Sequence, residues 1–238
     1  MIKIVANLFL ILLLVLSGCG GEGGGVTVTA TNTSGGTTVT PAKFSVVSAG
    51  GDHTVALKPD HTLWTWGNDA SGQLGDGTNS SRNTPGHVGT DTNWAAVSAG
   101  GNHTIALKSD GTLWAWGLNT SGQVGDGTNN SKSAPIQIGV DVNWAKVSAG
   151  GDHSVASKTN GTLWDWGNNA SGQLGDGTNN SRNTPEQIGA DINWTAVAAG
   201  GNHTAALKTD DTLWTWGDNA LGQLGDGTST DSLIPKQI

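Results

Sequence analysis

The sequence predicts an all-β protein in which four similar units pack face to face, as the blades of a propeller do. The first observation behind this prediction is a repeat: residues 94–143 and 144–193 are identical at 33 of 50 positions, without a gap. The second is that the strand-length stretches of each unit carry apolar residues on both faces. Units of this length form solenoids, propellers or arrays, because one unit cannot bury its apolar faces alone.

Large side chains recur at fixed positions and define the boundaries of the units. The recurring residues are Trp94, Trp144 and Trp194, which align with Phe44, together with His53, His103, His153 and His203, and with Trp66, Trp116, Trp166 and Trp216. The units are therefore residues 44–93, 94–143, 144–193 and 194–238. Since the 11 Trp follow this schedule and glycine sits at fixed repeat positions, we expect an ordered, turn-rich chain.

Each unit contains four predicted strands. In the second unit they cover residues 94–99, 103–108 and 112–116, with a short fourth strand near 135–138. Gly100-Gly101 and Ser109-Asp110-Gly111 mark the turns between the first three strands. A glycine-rich loop over 117–128 leads to the fourth strand. The pattern thus predicts one four-stranded blade per unit.

Alternation along these strands assigns side chains to two faces. In the second predicted strand of the second unit, one face carries His103, Ile105 and Leu107, and the other carries Thr104, Ala106 and Lys108. Both faces include apolar groups, which is typical of a strand that lies between neighbouring sheets. The alternation therefore favours a propeller whose blades pack against each other.

The first 19 residues have the pattern of a secretory signal. Lys3 precedes a run over 4–16 that is apolar except for Asn7 and is too short to span a bilayer comfortably. Leu16-Ser17-Gly18-Cys19 resembles the bacterial lipobox, in which the cysteine is lipidated and becomes the mature N-terminus. The sequence thus predicts a signal peptide over 1–18 and lipidation of Cys19; the alternative is an ordinary signal peptide with an incidental cysteine. Since Cys19 is the only Cys, no disulfide is expected.

The lipidated N-terminus is followed by a predicted linker, and together they cover residues 19–43. This stretch is rich in Gly, Thr and Ser, and as a flexible chain its 24 residues after Cys19 would span roughly 25 to 30 Å. Alternation over 26–31 could instead form an edge strand. We expect an exported protein held at a membrane through the lipid. Gly20 replaces the aspartate associated with inner-membrane retention, which indicates the outer membrane or the cell surface in a Gram-negative organism.

The charge of the chain disfavours one class of partner. The formal net charge is -8, and the 11 Lys and Arg are dispersed. Without a basic stripe to neutralise a phosphate backbone, nucleic-acid binding is not expected. The predicted partners are an unidentified protein and the membrane.

The repeated motif supports a family resemblance. Each unit carries AGG-x-H-[TS]-x-A-[LS]-K, followed by T-L-W-x-W-G and G-Q-[LV]-G-D-G-T. This series resembles the regulator of chromosome condensation repeat, which in known members forms a seven-bladed β-propeller. The resemblance covers residues 44–238, whereas the blade-ending dipeptide of tandem WD repeats does not recur.

The chain departs from this pattern in several places. His61 and Asp211 replace the turn glycine, Asp69 replaces the loop asparagine, and Ser157 replaces a leucine. Four units are also fewer than seven blades. The chain could therefore be incomplete, could close as a four-bladed ring, or could associate with other copies to complete the propeller.

Residues that recur in all four units are most simply explained by architecture. The motif histidines could ring the axis and bind a metal, but the favoured interpretation is that each ties its turn to backbone. The residues Asp76-Gly77-Thr78-Asn79 resemble part of a calcium loop but lack its acidic ligands, so a glycine turn is favoured. The paired tryptophans are predicted to be core rather than a sugar-stacking surface. With no nucleophile motif or phosphate loop, we expect no enzyme activity, no cofactor and no metal.

Positions at which the units differ are better candidates for a specific site. The candidates for contact with a partner are Leu118, Lys146, Asp165 and Leu221, although neutral drift is the favoured explanation of such differences. The hypothesis is a lipid-anchored extracytoplasmic β-propeller that acts as a non-catalytic protein-binding scaffold. The alternatives are an inhibitor of an extracytoplasmic enzyme, by analogy with secreted bacterial propellers that inhibit β-lactamases, and a carbohydrate-binding module. The nucleotide-exchange function of the eukaryotic namesake is not expected to transfer.

Overall fold

The computed structural model describes residues 42–238, and all regular secondary structure in this range is β-strand. Consecutive strands form four antiparallel four-stranded sheets, in which neighbours in sequence are also neighbours in the sheet. We call these sheets the first to fourth blades. No helix capable of crossing a membrane is found in the described range. The predicted signal peptide, Cys19 and residues 20–41 of the predicted linker lie outside the described residues.

The strands of the first two blades have the following bounds. In the first blade they are β1 (Val46–Ala49), β2 (His53–Leu57), β3 (Leu63–Gly67) and β4 (Arg82–His87). In the second blade they are β5 (Trp94–Ala99), β6 (His103–Lys108), β7 (Leu113–Gly117) and β8 (Lys132–Gln137).

The other two blades repeat this arrangement. The third blade contains β9 (Trp144–Ala149), β10 (His153–Lys158), β11 (Leu163–Gly167) and β12 (Arg182–Gln187). The fourth contains β13 (Trp194–Ala199), β14 (His203–Lys208), β15 (Leu213–Gly217) and β16 (Ser232–Gln237).

The predicted bounds of the first two strands of the second unit are confirmed, and the last two strands are shifted. β7 begins and ends one residue later than predicted, and β8 begins at Lys132 rather than near Pro135. A register shift after Ala115 allows Gly117 to pair with Lys132, which lengthens β8 towards its N-terminus. Pro135 is tolerated because β8 is the outermost strand and pairs on one side only.

The turn between the second and third strands of each blade requires a left-handed backbone. Gly111 has φ +80, and a Cβ there would lie 2.0 Å from the carbonyl oxygen of Val142. His61 and Asp211 adopt the same region with φ 62 and 63, although each carries a side chain. Such a conformation costs a non-glycine residue roughly 1 kcal/mol or more. The side chain of His61 also forms a hydrogen bond, between its Nδ1 and the carbonyl oxygen of Trp94 at 3.1 Å.

The core lies between blades, as the apolar faces predict. Three buried clusters each join two consecutive blades. In the cluster between the first two blades, Leu57 and Leu63 meet Trp94 and Trp116, and all four side chains are at most 2% exposed. The prediction that the motif tryptophans form core is thereby confirmed for Trp116.

The described blades form an open arc rather than a closed ring. Leu207 and Leu213 of the fourth blade are 37% and 39% exposed, whereas the equivalent Leu107 and Leu113 are 4% and 0% exposed. A Cβ on Gly201 would meet no atom within 4 Å, although one on Gly151 would lie 2.6 Å from the next blade. The four-bladed closed ring considered from the sequence is therefore wrong.

One buried carboxyl group is poorly accommodated. The side chain of Asp165 is fully buried, and its Oδ2 has no hydrogen-bond partner. Its Oδ1 accepts only from the amide of Trp166 at 3.0 Å. Burial raises the pKa of Asp165 well above its usual value, because a charged carboxylate loses its hydration there.

Threonine occupies the same position in two other blades. The hydroxyls of Thr65 and Thr215 donate to the carbonyl oxygens of Leu74 and Leu224, both at 2.8 Å. We therefore expect Asp165→Thr to raise the free energy of unfolding at pH 7 by about 1 to 3 kcal/mol, since it removes an unpaired buried carboxyl group and supplies a donor. Urea denaturation would measure this change. The reverse substitution Thr215→Asp is the matched control and should destabilise; equal stability of all three proteins would contradict the argument.

Candidate binding surface

The antiparallel strand order gives each blade two distinct ends. At one end, which we call the long-loop end, the turn after the first strand contacts the loop between the third and fourth strands. Asn68 donates its amide to the carbonyl oxygen of Asp52 there, at 2.8 Å. At the other, the connector end, the chain passes to the next blade, and the amide of Trp94 bonds the carbonyl oxygen of His61 at 3.3 Å. A partner could bind at either end.

The motif histidines join neighbouring blades. The Nε2 atom of His53 lies 2.9 Å from the Thr104 hydroxyl, and this hydroxyl donates to the carbonyl oxygen of Gln73 at 3.1 Å. Since the single hydroxyl proton is used for Gln73, His53 Nε2 must be the donor in its bond. The pairs that repeat this contact are His103 with Ser154 and His153 with Thr204. The expectation that each histidine ties its own turn to backbone is wrong, because its partner belongs to the next blade.

Burial holds these histidines neutral. It lowers the pKa of His53 to about 4 and that of His103 and His153 to about 3, because the imidazolium form would lose its hydration. Neighbouring histidines add to the lowering for His103 and His153. No group of His, Cys, Asp or Glu within residues 42–238 is arranged to hold a metal ion. The neutral imidazoles serve as hydrogen-bond donors between blades.

In the loops that resemble calcium sites, the carboxylates form hydrogen bonds and ion pairs with nearby residues of the same blade. Asp76 Oδ1 accepts from the amide and hydroxyl of Thr78, at 2.9 and 2.7 Å, while Oδ2 pairs with Arg82 at 3.1 Å. These bonds hold the pKa of Asp76 below its usual value, although burial opposes them. Gly77 has φ 85, as a glycine turn requires. The glycine-turn interpretation is therefore confirmed at this loop.

A lysine covers the half-buried tryptophan of each blade. Lys108 Nζ lies 3.7 Å from the ring centroid of Trp114 and 4.9 Å from that of Trp94. The same ammonium pairs with Asp91 at 2.8 Å. A face of Trp114 is thus occupied by a cation and is not free to stack on a sugar. Sequence reasoning missed this cluster, although the 17-residue spacing of Asp91 and Lys108 recurs in the next two units as a signal.

The four positions predicted to contact a partner are not brought together. Leu221 is 94% exposed and Leu118 is half-buried, and both lie at the long-loop end. Lys146 is exposed in β9 and lies near the connector end. Asp165 is fully buried, so its side chain does not reach the surface of this structure.

The connector end exposes apolar side chains that the sequence analysis did not single out. Val140, Val142 and Ile192 are 88%, 63% and 68% exposed. Val142 and Lys146 line a groove of about 550 Å³ between the second and third blades. We call Val140, Val142, Lys146 and Ile192 the connector surface. The sequence does contain a signal for this surface. The connector between the first two blades has threonine at the two positions where the connector between the second and third blades has Val140 and Val142.

The match to a family decides the relationship of this chain to known proteins. Residues 17–238 match the family model described as the RCC1-like domain. The chain belongs to this family. An RCC1-like chain is expected to form a β-propeller, and the four described blades have that architecture. A search of curated proteins found no match.

Solved RCC1-like structures share the arrangement of the blades. Human WBSCR16 is similar with a TM-score of 0.75 and 25% identity, over 83% of this chain and 53% of that one. Prp20p from Saccharomyces cerevisiae, studied for its binding to Gsp1p and histones, is similar with a TM-score of 0.76 and 23% identity. That match covers 84% of this chain and 51% of Prp20p. The chain therefore spans about half the length of these structures.

The buried histidines make stability depend on pH. In the unfolded chain His103 has a pKa near 6.5, whereas folding lowers it to about 3. The stability contributed by the neutral ring is therefore complete above pH 6.5 and is lost as the pH falls towards 3. We expect His103→Gln, whose amide can still donate to Ser154, to reduce the loss of stability between pH 7 and pH 5 by about 1 to 2 kcal/mol.

Denaturation at the two pH values measures this difference. The control is His87→Gln, which makes the same substitution at an exposed histidine. An identical pH dependence for His103→Gln and the wild type would contradict the assignment.

Proposed function

We propose that the chain is exported, is anchored to a membrane by acyl groups on Cys19, and presents its blades as a non-catalytic scaffold that binds another protein. The lipobox-like sequence before Cys19 supports the anchoring. Family membership supports the scaffold role, because the similar Prp20p is described with protein partners. Those partners are not carried over, since export would separate this chain from them.

The connector surface is the observation that carries the proposed binding. Its three aliphatic side chains are more than half exposed, and Lys146 lies beside Val142 along the same groove. Apolar groups rimmed by polar ones are typical of protein-interaction sites. A fitting partner would insert an apolar side chain between the second and third blades and place a carboxylate near the Lys146 ammonium.

The groove, at about 550 Å³, is large enough to receive several side chains of a partner. Its lining includes Ala95, Leu107 and Val147, which supply an apolar wall, and Asp110, which adds a carboxylate at the rim. Of the charged residues in the lining, the exposed Lys146 is available to orient a partner, whereas Lys108 pairs with Asp91 and Asp110 accepts from Thr112. We propose that specificity comes from Lys146, because the equivalent positions are Val46, Ala96 and Ala196.

Anchoring predicts a specific effect of changing the cysteine. We expect the full chain to incorporate a labelled fatty acid in a bacterial host and to sediment with membranes. Cys19→Ser should abolish both, since no other cysteine could accept the lipid. Labelling that persists in the variant would overturn the anchoring proposal without bearing on protein binding.

Binding at the connector surface predicts site-specific cross-linking. A photoreactive amino acid in place of Val142 should give a discrete protein adduct in the native host, and Lys146→Glu should reduce its yield at least fivefold. The same photoreactive replacement at Thr92, which occupies the equivalent place in the first connector, is the matched control and should give little adduct. A thermal melt of each variant would verify folding.

The same cross-linking experiment shows which end of the propeller the partner contacts. An adduct formed from Leu221 but not from Val142 would place the partner at the long-loop end and refute the connector surface. Absence of adducts from Val142, Leu118 and Leu221 would refute the scaffold proposal itself.

A further inference from the structure

The loop between the third and fourth strands is held together in three blades by one buried asparagine. In the second blade, the Nδ2 atom of Asn119 donates to Asp126 Oδ1 at 3.0 Å. It also donates to the carbonyl oxygens of Thr128 and Asn130, at 2.9 and 3.2 Å. The equivalent asparagines of the third and fourth blades make the same three contacts. One amide nitrogen thus lies among three oxygen atoms in each of these loops.

The first blade has Asp69 at this position, within a loop of the same geometry. Asp69 Oδ1 accepts from the amide of Leu74 at 2.9 Å, as Asn119 Oδ1 does from the amide of Val124. The amide of Asp69 donates to the Ser81 hydroxyl at 3.0 Å, a contact that the asparagine amides of the next two blades repeat. The other carboxylate oxygen, Oδ2, therefore takes the place of the amide nitrogen.

This exchange puts an acceptor where the other blades have a donor. Asp69 is fully buried, and the Thr78 hydroxyl lies 3.4 Å from its Oδ2. That hydroxyl has a single proton and is closer to Asp76 Oδ1, at 2.7 Å. Among the described residues, Asp69 Oδ2 is thus left without a proton donor. It shares the site with Asp76 Oδ1 and with the carbonyl oxygens of Thr78 and Ser80, which are equivalent to the three oxygens around the asparagine nitrogen.

The charge of this loop is also uncompensated. In each of the other three blades one aspartate of the loop pairs with one lysine or arginine, so the two charges balance. In the first blade Arg82 pairs with Asp76 Oδ2 at 3.1 Å, and Asp69 adds a second carboxylate. Burying a carboxylate without a partner is costly. The site therefore favours a positively charged occupant.

We propose that the first blade binds a calcium ion at this loop, with Asp69 Oδ2, Asp76 Oδ1 and the carbonyl oxygens of Thr78 and Ser80 as its protein ligands. Two carboxylates alone are too few to hold a metal ion, and the carbonyl groups supply the remaining oxygens. Carboxylate and carbonyl oxygens are the ligands that calcium prefers.

The spacing of the oxygens suits an ion of this size. Neighbouring ligands of an ion with bonds of about 2.4 Å lie roughly 3 to 3.4 Å apart. In the second blade the three oxygens lie 2.9 to 3.2 Å from the atom that Asp69 Oδ2 replaces. Gly77, Thr78 and Ser80 are exposed, so water can complete the coordination shell. A site with only two carboxylates, one of them shared with Arg82, is expected to bind calcium with a dissociation constant of roughly 0.1 to 1 mM.

Equilibrium dialysis of the full chain against radioactive calcium, in mild detergent and physiological salt at neutral pH, tests the site directly. The wild type is expected to bind one ion per chain in this concentration range. Asp69→Asn places an amide nitrogen in the site, as in the other blades, and should weaken binding by more than about tenfold. The matched control Asp52→Asn removes an exposed carboxylate where two other units have asparagine, and should leave calcium binding unchanged.

Transfer of the site to another blade provides a gain-of-function test. Asn119→Asp reproduces the first-blade arrangement in the second blade, where Asp126, Thr128 and Asn130 present equivalent oxygens. This variant should bind two ions per chain, and calcium should raise its Tm more than that of the wild type. Combining Asn119→Asp with Asp69→Asn should return the number of bound ions to one.

The competing occupant is a proton on Asp69 Oδ2. In that case calcium would neither bind to the wild type nor change its Tm. The stability of Asp69→Asn relative to the wild type would then increase as the pH rises, because the buried acid loses its proton. That result, or calcium binding that survives in Asp69→Asn, would overturn the calcium site.

Discussion

The contact between neighbouring blades is the interaction on which the rest of this structure depends. Each blade is a thin antiparallel sheet with apolar residues on both faces, so it buries its side chains only against another blade. Within this apolar contact a histidine donates to a hydroxyl, which donates to a glutamine carbonyl oxygen. This series of hydrogen bonds fixes the position of one sheet relative to the next, because a shift would leave buried polar groups without partners. The stability of one blade is therefore linked to that of the next.

This dependence separates the residues that maintain the fold from those that are free to specify function. The lysine between two tryptophans, the loop asparagine and the glycine turns are needed in every blade, and they recur in every unit or nearly so. Asp165 shows the cost of a change inside a blade, since a carboxyl group there has an unpaired oxygen. The exposed connector positions carry no such requirement, and there threonine gives way to Val140, Val142 and Ile192 without loss of a core contact. Surface composition at the connector end can therefore vary while the junctions remain the same.

The sequence predicted the architecture well because its period and its alternation report directly on burial. The bounds of β5 and β6, the buried Trp116 and the glycine turns all follow from local patterns. The hydrogen-bond partners of the histidines could not be predicted from local patterns, because they lie 51 residues away in sequence and belong to another blade. The burial of Asp165 was missed since a charged residue was taken to face solvent, although it shares its position with the buried Thr65 and Thr215. Exposure of Val140 and Val142 depends on the path of the connector, which spacing alone does not determine.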